Sequence, residues 1–582
     1  MDGLATGRTG TVARISGPLV EVDGLDGLSM LELVAVGPRL ISAETVAIAG
    51  TRATLQAYEY TGGLKAGDTA EATGHQLSAL LGPGLLGQVF DGLMRPLSSA
   101  PLWLTPDRAG STEDAATLAR SWTFVPAASA GAGVAPGYVL GTVPGAGSVE
   151  HRVLVPTGVS GEVTWLAPES QVRALDVVAR IGDHEVRLAE RWPVRRPRQF
   201  RGRLTEVVPL HTGQRVLDLL YQVARGGAAA VPGGFGTGKT LLLQQIAKWG
   251  AADVIVYVGC GERGNEMADV LGSLSRQVDA RTGGRLIDRT VIIANTSNMP
   301  MMARETSIHT GITVAEFYRD MGYDVVVIAD STSRWAEALR EFANRNGDLP
   351  AEEGYPANLA SQLAAFYERA GRVTTLGGRK ASVTVIGAIS PPGGDMTEPV
   401  TTDTQRFVRS LWLLDRDLAY SRHYPAVSWT GSFARDVEAV GLWHAANGHP
   451  GWAVQRARAA ALLAEADRLA SLAEIVGAMS LPGHERMVLL GGRLLRDGVL
   501  LQSDQSPNDA FCTADKGAAL LGLVLDVVDT CQRLVERGVA AVTIEQADLL
   551  AVVRAREETG PADAAGVVSR RDEIIQRLEE LR

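Results

Sequence analysis

The residues best suited to chemistry are Gly233, Gly234, Phe235, Gly236, Thr237, Gly238, Lys239 and Thr240, which fit the spacing G-x-x-x-x-G-K-T of a phosphate-binding loop. Glycines there let backbone N–H groups turn inward toward a polyphosphate with no Cβ in the way. Lys239 supplies a point charge for the β- and γ-phosphates, and the Thr240 hydroxyl can ligate Mg²⁺. Two further places carry suitable groups. Asp330 ends the apolar run YDVVVIAD, where a Walker-B carboxylate that holds Mg²⁺ belongs. Glu262 and Arg263 follow the run DVIVYVG, placing a carboxylate able to polarise a water beside a cation able to meet charge on the γ-phosphoryl oxygens. Taken singly, an Asp after a strand is a common helix cap, and a Gly-Glu-Arg-Gly turn is usually a solvated loop.

These groups need elements that aim them. The run 228–231 reads as a strand entering the glycine loop, and TLLLQQIAKWG reads as a helix leaving it, so bound phosphates would meet a helix N-terminus. Further strands are expected at 253–259, 289–297, 323–330 and 382–390, alternating with helical segments. Their nearly unbroken β-branched character suits a parallel sheet covered by helices on both faces. In such sheets ligands bind outside the carboxyl ends of the strands, and there Asp330 and Glu262 fall. This pattern predicts a P-loop nucleotide-binding α/β domain over 199–440.

Around that core the patterning changes. Residues 1–75 alternate apolar and polar positions between turn signals, as in TVARISGPLVEVDGL, and predict a small closed β-barrel that serves as an oligomerisation collar. Residues 76–110 are punctuated by Gly and Pro and read as a connecting layer packing on the core. Residues 111–198 read as an inserted, β-rich small domain. Beyond 440 the strands stop, and 441–582 carries helical periodicity, a C-terminal helical domain whose last residues, RRDEIIQRLEELR, form an exposed amphipathic helix or a tail.

A net charge of −10 and no interleaving of aromatics with Lys or Arg argue against a nucleic-acid partner. No apolar run reaches the length of a membrane span, and the N-terminus lacks the pattern of a secretory leader. Three cysteines without metal spacing read as reduced cytoplasmic thiols.

The strings YVGCGERGNEM, ANTSNMP, DMGYDVVVIADSTSRWAEALRE, EEGYPANLAS, ISPPGGDMTEPV and RHYPAVSW follow one another as in the catalytic A subunit of V/A-type rotary ATPases, and SGPLVEVDGL and EHRVLVPTGVSGEV extend the likeness over nearly the whole chain. The resemblance implies a head of three A and three B subunits round a central stalk, held by peripheral stalks, with ATP or ADP and Mg²⁺ at A–B interfaces and an arginine finger contributed by B. It implies a complex peripheral to the cell membrane that touches the membrane sector only indirectly. By matching positions it gives Lys239 and Thr240 to phosphate and Mg²⁺, Glu262 to the water, Arg263 to the γ-phosphate and Asp330 to Mg²⁺. Tyr424 takes the position that stacks on adenine, Phe235 closes the base pocket or wedges the loop, and Asp395 faces the rotor. Arg435, also near a strand end, is not the finger of its own site.

Two positions depart from the resemblance. An ungapped reading of LLRDGVLLQSDQSPNDAFC puts Leu501 and Gln502 at a Gln pair beside the base, and Gln505 where a Phe usually encloses adenine. Loss of that wall would cost on the order of 1 kcal/mol of stacking. Thr237 stands where eukaryotic relatives carry a Cys able to form a regulatory disulfide, so that switch is excluded. The competing readings are a homohexameric export ATPase of the secretion type, a hexameric nucleic-acid translocase, and a nucleotide-binding subunit without turnover. The insertion, the acidic charge, and the complete set of Lys239, Glu262 and Asp330 speak against them in turn.

Overall fold

The computed structural model describes residues 7–97, 118–279, 281–347 and 349–581. The chain divides into two compact units, Met1–Leu204 with Ala252–Gly387, and Thr205–Ala251 with Ala388–Arg582.

The first unit begins with a closed barrel of six antiparallel strands, Thr9–Ser16, Leu19–Asp23, Glu32–Val36, Ile41–Ala49, Arg52–Ala57 and Thr69–Gln76. It closes where Thr9–Ser16 pairs with Thr69–Gln76. The alternation seen in the sequence is the pleat itself: Val20, Val22, Val34, Val36, Ile41 and Leu55 point inward and form the barrel core. The segment after the barrel is woven into its surroundings. Ser78–Leu81 pairs antiparallel with Glu190–Pro193, and Val89–Phe90 joins the edge of a parallel sheet beside Thr290–Asn295. Residues 98–117, the rest of the expected connecting layer and the start of the insertion, lie outside the described residues. From Ser121 the insertion forms two four-stranded sheets around a core that includes Trp122, Phe124, Leu140, Val163, Val178 and Ile181.

The parallel sheet of this unit runs in the order Val89–Phe90, Thr290–Asn295, Val254–Cys260, Asp324–Asp330 and Lys380–Ile389. Every residue of Val254–Cys260 and Thr290–Asn295 is buried, as strands covered on both faces must be. The helix Met301–Asp320 lies close against it, since a Cβ on Gly311 would stand 2.3 Å from Val258 Cγ2. Arg195 ties three parts of the unit together, bonding Glu44 of the barrel and Glu305 of that helix.

In the second unit, Ala228–Pro232 pairs in parallel with Ser410–Leu411, which pairs antiparallel with Phe433–Ala434. The helix Lys239–Trp249 follows the glycine loop and buries Leu242, Leu243 and Ile246. The helices Trp452–Val476, Gly483–Leu495, Ala514–Glu536, Leu550–Glu558 and Ala564–Glu579 make the C-terminal part, with Leu463, Leu469, Met487, Leu495, Leu520 and Val524 in its core. The final helix differs from the expected exposed helix or tail. Asp563 caps it by accepting from Gly566 N, Val567, Ile574 and Leu578 are buried, and Arg571 reaches Asp526 of Ala514–Glu536 at 3.3 Å. Its apolar stripe has a partner that sequence periodicity does not reveal.

Candidate functional site

The glycine loop is the first group of the site. Gly236 and Gly238 have φ of 79° and 82°, values that L side chains rarely adopt, so glycine is required where the chain curls back. A Cβ on Gly233 would stand 2.8 Å from both Leu414 Cβ and Thr237 Oγ1, whereas Gly234 and Gly236 look into open space. Thr237 is buried and its hydroxyl donates to Gly234 O at 2.9 Å, which pins the loop from inside. Gly238 caps the helix Lys239–Trp249, so Lys239 and Thr240 occupy its first turn, where the dipole and free N–H groups favour an anion. The Lys239 ammonium donates to Gly233 O at 3.0 Å, Ile389 O at 2.9 Å and Ser390 Oγ at 2.5 Å. These neutral oxygens hold the charge in the cradle without neutralising it, and a polyphosphate would compete with them favourably.

On the flank of the loop, the Tyr424 ring lies 3.0 Å from the point a Cβ on Gly238 would occupy, so it packs on the last glycine before Lys239. Burial pushes its phenol well above the ordinary value, and its hydroxyl is buried without a hydrogen bond. Phe235, by contrast, is 93 % exposed, so it wedges nothing within the chain. Gln502 requires a correction. It is buried, its Oε1 accepts from Arg215 N at 2.9 Å and its Nε2 donates to Gly213 O at 2.8 Å. Both halves of the amide are spent on the start of the helix Arg215–Leu220, so the side chain is not offered to a base; only its N–H, bonded to Tyr424 O at 2.7 Å, bears on the pocket. Gln505 is exposed, and the aromatic nearby in sequence, Phe511, stacks on Trp249 at 5.1 Å instead.

The second group stands at the carboxyl ends of Val254–Cys260 and Asp324–Asp330, neighbours in the parallel sheet with Gly259 in register with Asp330. Asp330 is buried and its Oδ2 accepts from the Tyr257 hydroxyl at 3.0 Å. Burial beside Asp330 holds the Tyr257 phenol well above its ordinary value, so it stays a donor. Gly261, at φ 72°, turns the chain and its N–H donates to Asn295 O at 2.7 Å. Glu262 follows, half-buried, its carbonyl accepting from Ser297 N at 2.9 Å. Desolvation first, then the charge of Asp330 and a hydrogen bond and charge from Glu266, raise its carboxyl to about 8, with Arg334 pulling the other way. A carboxylate poised near neutrality is what general-base work asks for. Arg263 stands at the residue before the helix Gly264–Arg276, without a side-chain capping bond, and is exposed. Cys260 is fully buried, donates to Arg304 O at 3.5 Å and is pushed up to about 12 by burial, an inert thiol. Asp395 sits in an exposed turn bonded to Thr397, and Arg435 is exposed with Nη2 on Gln405 O.

Sequence reasoning missed Ser390, Tyr257, Glu266 and Arg334. Ser390 directly follows a strand, the rule that found Glu262 and Asp330. Glu266 lies four residues after Glu262 and so on its side of the turn, and Tyr257 is the one hydroxyl in an otherwise aliphatic strand run. Arg334 had no comparable signal.

The donor sets fit the groups they would hold. Among the described residues no cluster of three or more His, Cys, Asp or Glu forms a metal cage. Mg²⁺ asks for no such cage; one carboxylate, with a hydroxyl, waters and phosphate oxygens, is its usual protein share. Asp330 and Thr240 are each donors of that kind, and the open inner side of Gly234 and Gly236 leaves room for phosphates.

Family models match the chain in four successive parts: the ATP synthase alpha/beta family beta-barrel domain over 12–74, the ATP synthase alpha/beta subunit barrel-sandwich domain over 114–195, the ATP synthase alpha/beta family nucleotide-binding domain over 213–434, and the C-terminal domain of V and A type ATP synthase over 442–542. Similar proteins include the V-type ATP synthase alpha chain of Nitrosococcus oceani, 49 % identical with 91 % of each chain covered. The alpha chain of Anaeromyxobacter sp. is 48 % identical over 98 % of this chain and 100 % of its own. The A subunit of the A-type ATP synthase of Hyperthermus butylicus is 44 % identical over 98 % of this chain and 97 % of its own. Among solved structures, the assembled ATPase EscN of the enteropathogenic E. coli type III secretion system covers 89 % of this chain and 100 % of its own with a TM-score of 0.64. At 21 % identity that likeness concerns the fold alone. Identity of 44 to 49 % over nearly the full length, joined to a C-terminal domain of the V and A type, shows that the chain belongs to the alpha (A) subunits of V/A-type ATP synthases.

Proposed function

We propose that the chain is the catalytic subunit of a V/A-type rotary ATPase, turning over Mg-ATP in hydrolysis or synthesis. Three copies alternate with three noncatalytic B subunits, and turnover at A–B interfaces drives a central stalk and the movement of protons or sodium ions through a membrane sector this chain does not enter. The complex is cytoplasmic, peripheral to the cell membrane and braced by peripheral stalks. Among the described residues no helix is long and apolar enough to cross a membrane, which accords with that place.

In this reading the loop 233–240 binds the triphosphate through its N–H groups, and the Lys239 ammonium exchanges carbonyl and hydroxyl oxygens for phosphate oxygens. Tyr424 stacks on the base, and Phe235, exposed in the lone chain, closes over it. Thr240 and Asp330 would each offer an oxygen to Mg²⁺, which would supply positive charge against the β- and γ-phosphates. Glu262 orients the attacking water and accepts its proton, while Arg263 and an arginine from B meet the charge that develops on the γ-phosphoryl group.

The observation that carries the proposal is the intact phosphate loop, with Lys239 and Thr240 in the first turn of the helix Lys239–Trp249, in a chain 44 to 49 % identical to V- and A-type ATP synthase alpha (A) subunits. Assembly with the B partner followed by Mg-ATPase measurement tests it. Lys239→Ala and Glu262→Gln are each expected to lower turnover by about 10²–10³-fold or more while the ring still forms. Full turnover in the Glu262→Gln ring would rule out the mechanism.

A further inference from the structure

The strand Val254–Cys260 is aliphatic except for Tyr257 and the buried thiol of Cys260. Phenylalanine would fill the same volume, and a hydroxyl taken into a core is costly without a partner. Tyr257, 1 % exposed, has one: its hydroxyl donates to Asp330 Oδ2 at 3.0 Å. The contact follows from sheet register. Gly259 stands opposite Asp330 on the neighbouring parallel strand, and side chains two residues apart leave the same face. Tyr257, two residues before Gly259, therefore emerges on the Asp330 side one pleat earlier, and its length brings the phenol back to the carboxylate.

We propose that Tyr257 is a positioning residue for the Mg²⁺-holding carboxylate, its hydroxyl bonding Asp330 Oδ2 and so helping to fix the plane in which the carboxylate meets the ion. The inference rests on the reading of Asp330 as the Mg²⁺ carboxylate. It gives Tyr257 no contact with nucleotide or water.

The test uses the full chain assembled with its B partner, with Mn²⁺ as a paramagnetic probe and ADP as the nucleotide. Three rings are compared, wild type, Tyr257→Phe and Asp330→Asn, by Mn²⁺ affinity in the ADP complex, ADP affinity in EDTA, and thermal midpoint. Tyr257→Phe is expected to weaken Mn²⁺ about 10-fold, with metal-free ADP affinity and midpoint unchanged. Ca²⁺, which tolerates irregular geometry, should lose less than Mn²⁺. A packing role alone would move the midpoint and metal-free affinity together and leave the Mn²⁺-to-Ca²⁺ ratio untouched; that result overturns the inference. Wild-type Mn²⁺ affinity in Tyr257→Phe with a defect in Asp330→Asn overturns it while sparing the Asp330 assignment. Wild-type affinity in both variants removes the two together.

Discussion

At the scale of single residues, charge placement separates Glu262 from its acidic neighbours. Desolvation raises its carboxyl, and Asp330 and Glu266 raise it further, whereas Arg334 is the group that favours its ionised form. A general base works only when deprotonated, so turnover should fall on the acid side as Glu262 takes up a proton. Removing a neighbouring negative charge favours the ionised form and lowers the pKa. Glu266→Gln is therefore expected to move the acid limb of the kcat/KM profile of the assembled ring to lower pH, by on the order of one pH unit. An unmoved or alkaline-shifted limb would mean that Glu266 does not tune the base. Lys239 is placed differently, its ammonium donating to the neutral oxygens of Gly233, Ile389 and Ser390, for which phosphate oxygens can be exchanged.

At the scale of elements, the segment joining Gly483–Leu495 to Ala514–Glu536 fastens the helical part to the nucleotide loop. Arg215, from the helix Arg215–Leu220, is 1 % exposed and donates to Val499 O and Leu501 O, each at 2.6 Å, while pairing with Asp509 at 2.7 Å. Arg556, on Leu550–Glu558, bonds the same carboxylate from the other side. Lys516 closes the cluster through the carbonyls of Asn508, Arg556 and Thr559. With Gln502 N on Tyr424 O, one loop touches the aromatic that flanks the phosphate loop and two helices of the C-terminal part. Asp509 is the hub. Asp509→Ala leaves two buried arginines short of a partner and is expected to destabilise its unit by about 3–5 kcal/mol, read as a lower urea midpoint. A change below about 1 kcal/mol would show the cluster to be dispensable.

At the scale of the whole molecule, acid should weaken both units by one cause, a histidine buried without its proton. His151 in the first unit is held down to about 3 by desolvation. His444 in the second, stacked on Trp452 at 4.7 Å with Nε2 on Gln222 Oε1, is held down to about 4 by desolvation and by His449. Both folded values lie below the unfolded value of about 6.5. The unfolded chain therefore binds protons first, so the stability present above pH 6.5 is lost as pH falls toward the folded values. The loss is about 1.4 kcal/mol per pH unit for each group. His444→Gln should flatten the decline of urea stability between pH 6.5 and 4 in the second unit and leave the first unit's decline in place. An unchanged slope would remove His444 from the account.

The amino-acid sequence alone determined whatever is local or periodic in this protein. The phosphate loop is eight consecutive residues whose backbone conformation follows from its glycines. The barrel follows from a period of two, the parallel sheet from unbroken β-branched runs, and the strand-end carboxylates from where those runs stop. What the tertiary structure alone decided is held between positions far apart in the chain. Tyr257 meets Asp330 across 73 residues through strand register, and Gln502 turns to Gly213 across 289, away from the base that its neighbours in sequence suggested. The last helix finds its partner in Ala514–Glu536, and Glu262 owes its raised carboxyl to burial and to a charge on another strand. Desolvation and hydrogen-bond partnership depend on which surfaces the fold brings together, and no window of sequence contains both sides of such a contact.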